Sequence, residues 1–156
     1  MLNPLRNFAH LEGSHLYRSA QPIYDYEFRF IKKELGITHI LNLRSEINID
    51  RKFAHKYGIH AHTISVADHH PPMLHQALSF IHFISFVRTP ILFHCEHGRG
   101  RTSTFAVIAR IGFNGWSLER SLKEEKDVFG YDFQHPVQLE WLKNFEKSLK
   151  KHRYGS

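Results

Sequence analysis

Apolar positions along the 156-residue chain change period repeatedly, and each change predicts an element. "IYDYEFRFIKKELGI", residues 23–37, reads as a helix stopped by Gly36 at the first position beyond its end. "THILNLRS" follows as a buried strand carried by Ile40, Leu41 and Leu43. A short helix over Asp50 to Tyr57 stops at Gly58, and "IHAHTISV", residues 59–66, reads as the next strand. After the polar break "ADHHPP", the spacing of Leu74, Leu78, Ile81, Ile84 and Val87 predicts a helix between Pro72 and Arg88. "PILFH" is a short apolar run suited to a fully buried strand. Phe105, Ile108 and Ala109 place another helix over Arg101 to Phe113, ended by Gly112 or Gly115. Ser117 suits the cap of a further helix. Pro136 suits the first turn of the last one, with Trp141, Leu142, Phe145 and Leu149 as its buried stripe.

Strands alternating with helices predict an α/β fold in one domain over residues 1–156, with a largely parallel central sheet flanked by helices. The strand–helix–strand unit from Ile59 to His94 positions the chemistry. If its crossover is right-handed and its strands parallel, both strands finish at one edge of the sheet. Asp68 follows the first strand and Cys95 the second, 27 residues later. Parallel strands lie about 4.8 Å apart, or twice that with one strand between, so both side chains reach one crevice.

Composition adds constraints. Hydrophobic content of 42% and charged content of 23% belong to a globular chain, not a disordered one. One cysteine excludes an internal disulfide framework. No stretch reaches membrane-spanning length, and "MLNPLRNFAHLEG" has no apolar run of signal-peptide character. The default expectation is a cytoplasmic chain, or a periplasmic or secreted one if a leader has been removed. Net charge of +6, with 14 histidines, favours anionic partners. Basic residues are scattered, apart from "KNFEKSLKKHR", which reads as the outer face of the last helix, and the aromatics fall at core spacing. A nucleic-acid surface is therefore not expected.

The cysteine stands in "ILFHCEHGRGRTSTF", residues 91–105. A buried strand leads in, Gly98 and Gly100 let the backbone curl, and a helix starts near Arg101. Such a curl turns successive N–H groups inward as an anion nest, and the helix N-terminus adds positive potential. Positive surroundings of this kind stabilise the thiolate, the nucleophilic form of cysteine. Arg101 can grip two phosphate oxygens with its planar fork. A thiolate beneath a caged phosphate is an arrangement for nucleophilic phosphoryl transfer. Burial of Cys95 as a core residue would leave the glycines and arginines unexplained. Zinc on His94, Cys95, His97, His69 and His70 is disfavoured, because neighbours on a strand point to opposite faces and Arg101 repels a cation.

"HCEHGRGRTSTF" resembles the active-site loop of the cysteine-dependent protein tyrosine phosphatase superfamily, His-Cys-x5-Arg-Ser/Thr. The glutamate after the cysteine, the Gly-x-Gly-Arg-Thr run and the Thr-Phe beyond resemble the tyrosine-phosphatase-like phytases, which hydrolyse inositol polyphosphates. "SVADHHPP" is similar to that family's general-acid loop, although His70 and Pro71 stand where its Trp-Pro pair is expected. "YRSAQP" and "LGITHILNLRSE" resemble stretches of the small dual-specificity and phytase-like branches, so the likeness runs from Tyr17 to about Leu122. Asp68 precedes the cysteine loop, as in the tyrosine-specific, dual-specificity and phytase-like branches and unlike the low-molecular-weight enzymes.

The resemblance implies a protein tyrosine phosphatase-like fold and these roles. Cys95 is the nucleophile, Arg101 and the amides from Glu96 to Arg101 hold the phosphoryl oxygens, and Asp68 is the general acid and then base. Thr102 bonds the sulfur, and His94 orders the loop from below. Asp127 and Asp132 are alternative acids. No metal or organic cofactor is implied. Beyond Gly98 and Gly100, the residues His97, Arg99 and His69 are the expected substrate contacts, with Arg18 extending the positive field. Two cations beyond Arg101 are surplus for one phosphotyrosine and have partners on a ring carrying several phosphates. Inositol polyphosphate is thus the expected small anionic substrate. A phosphoprotein substrate, with Tyr24, Tyr26 or the 129–133 aromatics against the phosphotyrosine ring, is the alternative. A non-catalytic phosphate-binding module is a third reading from another class.

Overall fold

The computed structural model describes residues 2–153. Five strands, β1 (Ala9–His10), β2 (Leu16–Ala20), β3 (His39–Arg44), β4 (His60–Val66) and β5 (Ile91–Cys95), form one sheet in the order β1-β2-β5-β3-β4. All neighbours pair in parallel except β1 with β2. The described residues also form six helices: α1 (Asp25–Lys33), α2 (Asp50–Tyr57), α3 (Leu74–Phe86), α4 (Gly100–Gly112), α5 (Leu118–Asp127) and α6 (Pro136–Arg153). The expected α/β class with a largely parallel, helix-flanked sheet is what the chain adopts.

The central strand β5 is buried along its whole length, as its apolar run requires. Alternation along it separates two cores. Ile91, Phe93 and Cys95 face α3, α4, α5 and α6, whereas Leu92 faces α1 and α2. Helix α4 runs through the larger core, with Arg101 to Ile111 all buried. Because β3 lies between β4 and β5, the ends of β4 and β5 are two strand spacings apart.

Several element ends follow from single residues. Gly36 and Gly58 adopt φ 67°, the left-handed conformation that stops α1 and α2. The Ser117 side chain accepts from the Arg120 amide and caps α5, and α6 begins at Pro136. One strand pair was not foreseen and one reading needs correction. Strands β1 and β2 were not expected, and β2 carries no apolar alternation, because "LYRSA" buries Arg18 and Ser19 as well as Leu16 and Ala20. Helix α3 has the expected period but a rotated inner face. Ala77, Phe80 and Ile84 are buried, while Leu74 and Leu78 point outward.

Candidate active site

Cys95 ends β5, and the loop from Glu96 to Arg99 joins it directly to α4. Three carbonyls of that loop are held from outside. Glu96 O accepts from the Gln21 amide at 3.1 Å, His97 O from Asn7 Nδ2 at 2.7 Å, and Gly98 O from Arg18 Nη2 at 3.4 Å. In a trans peptide the following N–H points opposite to the carbonyl, and there is no cis peptide among the described residues. The amides of His97, Gly98 and Arg99 therefore turn away from these anchors, into the concave side of the loop. This is how the sequence builds an anion nest. Gly98 is essential to it: its φ is 73°, and a Cβ there would meet the backbone of Ser19 and Ala20 at 2.7 Å.

The thiol sits at the floor. Cys95 is 3% exposed, and the Thr102 hydroxyl, in the first turn of α4, donates to its Sγ at 3.0 Å. His94 points through the opposite face of the sheet. Its ring is fully buried, and Nε2 lies 2.6 Å from Oδ2 of Asp50, at the start of α2. Asp50 is held in turn by Gln21 Nε2 at 2.9 Å. His94 thus fixes the strand end from below without reaching the sulfur face.

Arg101 is the best-defined cation of the site. A guanidinium has five N–H groups, and three are used here. Nη1 donates to Glu46 Oε1 at 2.7 Å and to Val66 O at 2.9 Å, and Nη2 donates to Glu46 Oε2 at 3.0 Å. Nε is buried and has no hydrogen-bond partner among the described residues. Its N–H and the remaining Nη2 N–H lie on one edge of the plane, so a two-donor fork stays free. Burial acts to lower the Arg101 pKa, but the Glu46 hydrogen bond and the charges of Cys95, Glu46 and Asp68 together raise it. The same bond, with help from Arg44, holds Glu46 down to about 2 against its desolvation. The pair therefore survives into acid and is lost as pH falls through about 2, where Glu46 takes up its proton.

Asp68, two residues beyond β4, places Oδ1 3.9 Å from Arg101 Nε on the free side of the guanidinium. A cavity of about 660 Å³ opens over this group. Cys95, Asp68, His69, Glu96, His97, Arg99, Gly100 and Arg101 all line it. Gly98, Thr102 and His94 stand behind the loop, where they shape it.

Arg18 does not extend the field of the mouth. It is 2% exposed, bonded through Nη1 to both Glu125 oxygens at 2.8 Å and through Nη2 to Ser103 Oγ at 2.9 Å, with Phe129 across its guanidinium. Of the two alternative acids, Asp127 is paired with Lys123 on α5, outside the cavity, whereas Asp132 lines the cavity. Tyr24 and Tyr26 stack on each other and do not line the cavity.

Sequence reasoning missed Glu46, Asn7, Gln134 and His135, and it held Tyr131 only within the 129–133 aromatics. Asn7, Tyr131, Gln134 and His135 line the cavity. Tyr131 places its hydroxyl over Gly100, where an added Cβ would lie 3.7 Å away. Burial, followed by the charges of Cys95, Glu125 and Asp68, raises its pKa, so it remains a neutral donor. The run "SEINID" after β3 held the one available signal for Glu46: an acidic residue past the carboxyl end of a parallel strand.

Comparison with known proteins agrees with this geometry. The profile of the tyrosine phosphatase family matches residues 2–155. A curated relative, the dual specificity protein phosphatase TpbA of Pseudomonas aeruginosa (strain UCBPP-PA14), is 46% identical over 42 residues; these are 26% of this chain and only 19% of the relative's length. The fold is similar to the core catalytic domain of the PP-IP phosphatase SIW14 from S. cerevisiae, solved with citrate. The TM-score is 0.78 and the identity 22%, with 98% of this chain and 93% of that one covered. It is also similar to PTPMT1 in complex with PI(5)P, with TM-score 0.80, 18% identity, and coverage of 94% and 98%. With its loop geometry in place and the family profile matched over nearly its whole length, the chain belongs to the tyrosine phosphatase family.

Proposed function

We propose that the protein is a phosphomonoesterase that works through a cysteinyl-phosphate intermediate, and that its substrates are inositol polyphosphates. The observation that carries the chemistry is the free Nε edge of buried Arg101, beside the thiol-bearing nest and 3.9 Å from Asp68. Two phosphoryl oxygens satisfy that fork, and the loop amides take up the remaining charge. Cys95 Sγ attacks phosphorus, the S–P bond forms, and the P–O ester bond breaks. Protonated Asp68 gives its proton to the leaving alkoxide. Water then attacks phosphorus, its proton passes to Asp68, and the S–P bond breaks to return thiolate and inorganic phosphate. The Thr102 hydroxyl, 3.0 Å from Sγ, stabilises the departing sulfur.

The substrate class rests on the mouth. His69 on the Asp68 turn, and His97 and Arg99 on the cysteine loop, line a cavity far wider than one phosphate needs. A ring carrying several phosphates places one group on Arg101 and others against these side chains. Two proteins of the same fold are named for or seen with related compounds, a PP-IP phosphatase and PTPMT1 bound to PI(5)P.

A phosphotyrosine or dual-specificity reading is favoured by one feature, the half-buried Tyr131 in the cavity wall, edge-on to Phe133. Phosphate release by wild type and Cys95→Ser, on inositol hexakisphosphate and on a phosphotyrosine peptide from pH 4 to 8, separates the readings. The proposal expects release that prefers the inositol substrate and vanishes in Cys95→Ser. Preference for the peptide selects the second reading, and equal traces from both proteins reduce the site to phosphate binding without catalysis.

A further inference from the structure

The segment that carries Asp68 is held from within by short-range bonds. The His69 amide donates to Asp68 Oδ1 at 3.1 Å, the His70 amide to Ala67 O at 3.1 Å, and His70 Nδ1 lies 2.8 Å from Asp68 O. These bonds fix the shape of the turn but not its position over the thiol. The backbone at His69 is unusual, with φ 64°, a left-handed conformation that costs a non-glycine residue about 1 kcal/mol or more. This conformation brings the His69 ring to 4.9 Å from that of His135, at an interplanar angle of 49°. His135 is itself anchored, because its carbonyl accepts from the amides of Gln138 and Leu139 in the first turn of α6. On the same side, Pro71 shares a cleft with Pro136, Val137 and Trp141.

We propose that His135 is the positioning residue of the general acid. Through the His69 ring it pins the Asp68 turn to the start of α6, where Asp68 Oδ1 stands 3.9 Å from Arg101. The inference rests on the phosphatase reading and on Asp68 as its acid. His135 lines the cavity as well, so its action through Asp68 must be separated from direct substrate contact.

A leaving group that needs protonation reports on the acid, and one that leaves readily does not. The test compares kcat and KM on inositol hexakisphosphate, whose leaving groups are alcohols, with p-nitrophenyl phosphate. The variants are His135→Ala, His135→Phe, Asp68→Asn and the double variant His135→Ala/Asp68→Asn. A ring contact of this kind sets the fraction of molecules with the turn in place by about three- to tenfold. His135→Ala should lower kcat on the inositol substrate by that factor and change p-nitrophenyl phosphate turnover less than twofold. His135→Phe, which keeps a ring, should recover most of the loss. In the Asp68→Asn background the His135→Ala effect should disappear, since both changes act on one proton transfer.

Equal losses on both substrates, or a loss that persists without Asp68, would overturn the inference. So would a rise in KM with kcat unchanged, which would assign His135 to substrate contact. Asp68→Asn costing about 10²–10⁴ while His135→Ala costs nothing would overturn the positioning role and leave the acid standing. A flat response to Asp68→Asn itself would remove the acid, and the inference with it.

Discussion

The two sides of the Cys95 loop are built on opposite principles. Underneath, almost every polar group is buried and partnered: Arg18 with Glu125 and Ser103, His94 with Asp50, and Gly98 pressed against the backbone of β2. At the mouth, side chains are exposed. Asp68 is 56%, His69 67% and His97 73% accessible, and their contacts are long: His69 to Asp68 3.4 Å, His97 to Glu96 3.7 Å and Asp68 to Arg101 3.9 Å. The underside fixes where the loop amides point, and a fixed direction is what electrostatic catalysis requires. Apart from the His69–His135 ring contact the mouth is little constrained by packing, so its other residues are free to meet a substrate. Changes below should therefore act on every substrate alike, and changes above should discriminate between substrates.

The largest effect should come from Gly98→Ala. The new methyl group would meet Ser19 and Ala20 backbone atoms at 2.7–2.8 Å, and the residue would keep a left-handed φ of 73°. Backbone cannot yield as a side-chain tip does, so the loop must move and the amides lose their aim. We expect a loss of about 10²–10³ in kcat/KM on inositol hexakisphosphate and p-nitrophenyl phosphate alike. A loss confined to one substrate would break the division between underside and mouth.

Next comes Arg18→Met. It removes the ion-pair partner of the buried Glu125 carboxylate and leaves it the Ser103 hydroxyl, and uncompensated buried charge costs about 3–5 kcal/mol. Burial already raises the Glu125 pKa, against the lowering effect of Arg18. Without Arg18 the carboxyl takes up a proton more readily, which relieves the strain. Denaturant titration should show a smaller loss at pH 5 than at pH 8, and Glu125→Met added to Arg18→Met should restore part of the stability. An equal loss at both pH values would show that Glu125 is not the stressed group.

The same division decides what could be read from sequence. The residues that gather around the cavity were legible because their signals are local: Cys95, the two glycines, Arg99 and Arg101 lie within seven residues, and Asp68 follows a strand. The alternating elements gave the fold class for the same reason. The underside was not legible. Arg18 meets Glu125 across 107 positions, and Asp50 meets His94 across 44. A charged residue inside a strand lacks the apolar period that marks strands, so β2 was hidden and Arg18 was assigned to the surface field. Glu46 and His135 were hidden for a related reason. Each gains its meaning from a partner, Arg101 or His69, that only the tertiary fold brings near.

At the mouth, Arg99→Gln should leave stability untouched and discriminate between substrates. Its side chain is exposed beside the cavity. Removing one charge-assisted contact to a second phosphate should raise KM for inositol hexakisphosphate about tenfold. The KM for p-nitrophenyl phosphate, with its single phosphate on Arg101, should change less than twofold. Equal shifts for both would place Arg99 on the reacting phosphate and abandon the multi-phosphate reading of the mouth.

The smallest effect should arise far from either side of the loop, and it tests whether the pH response of activity belongs to the site. His39 and His62 face each other across β3 and β4, Nδ1 to Nε2 at 2.8 Å, with the His60 ring stacked on His39 and Phe83 packed against the pair. Burial lowers the pKa of both His39 and His62, and neighbouring histidines lower them further. The unfolded chain therefore binds protons there before the folded one does. The stability these groups contribute is fully present above about pH 6.5 and is lost as pH falls from there through their folded-state values. His39→Leu should lessen the fall in Tm between pH 7.5 and pH 5 by an amount on the order of 2 °C. Because this pair does not line the cavity, the pH profile of kcat should be the same in wild type and variant. A profile that moved with His39 would mean that the acid response of catalysis is set by the fold as a whole, and the separation of scaffold from mouth would fail.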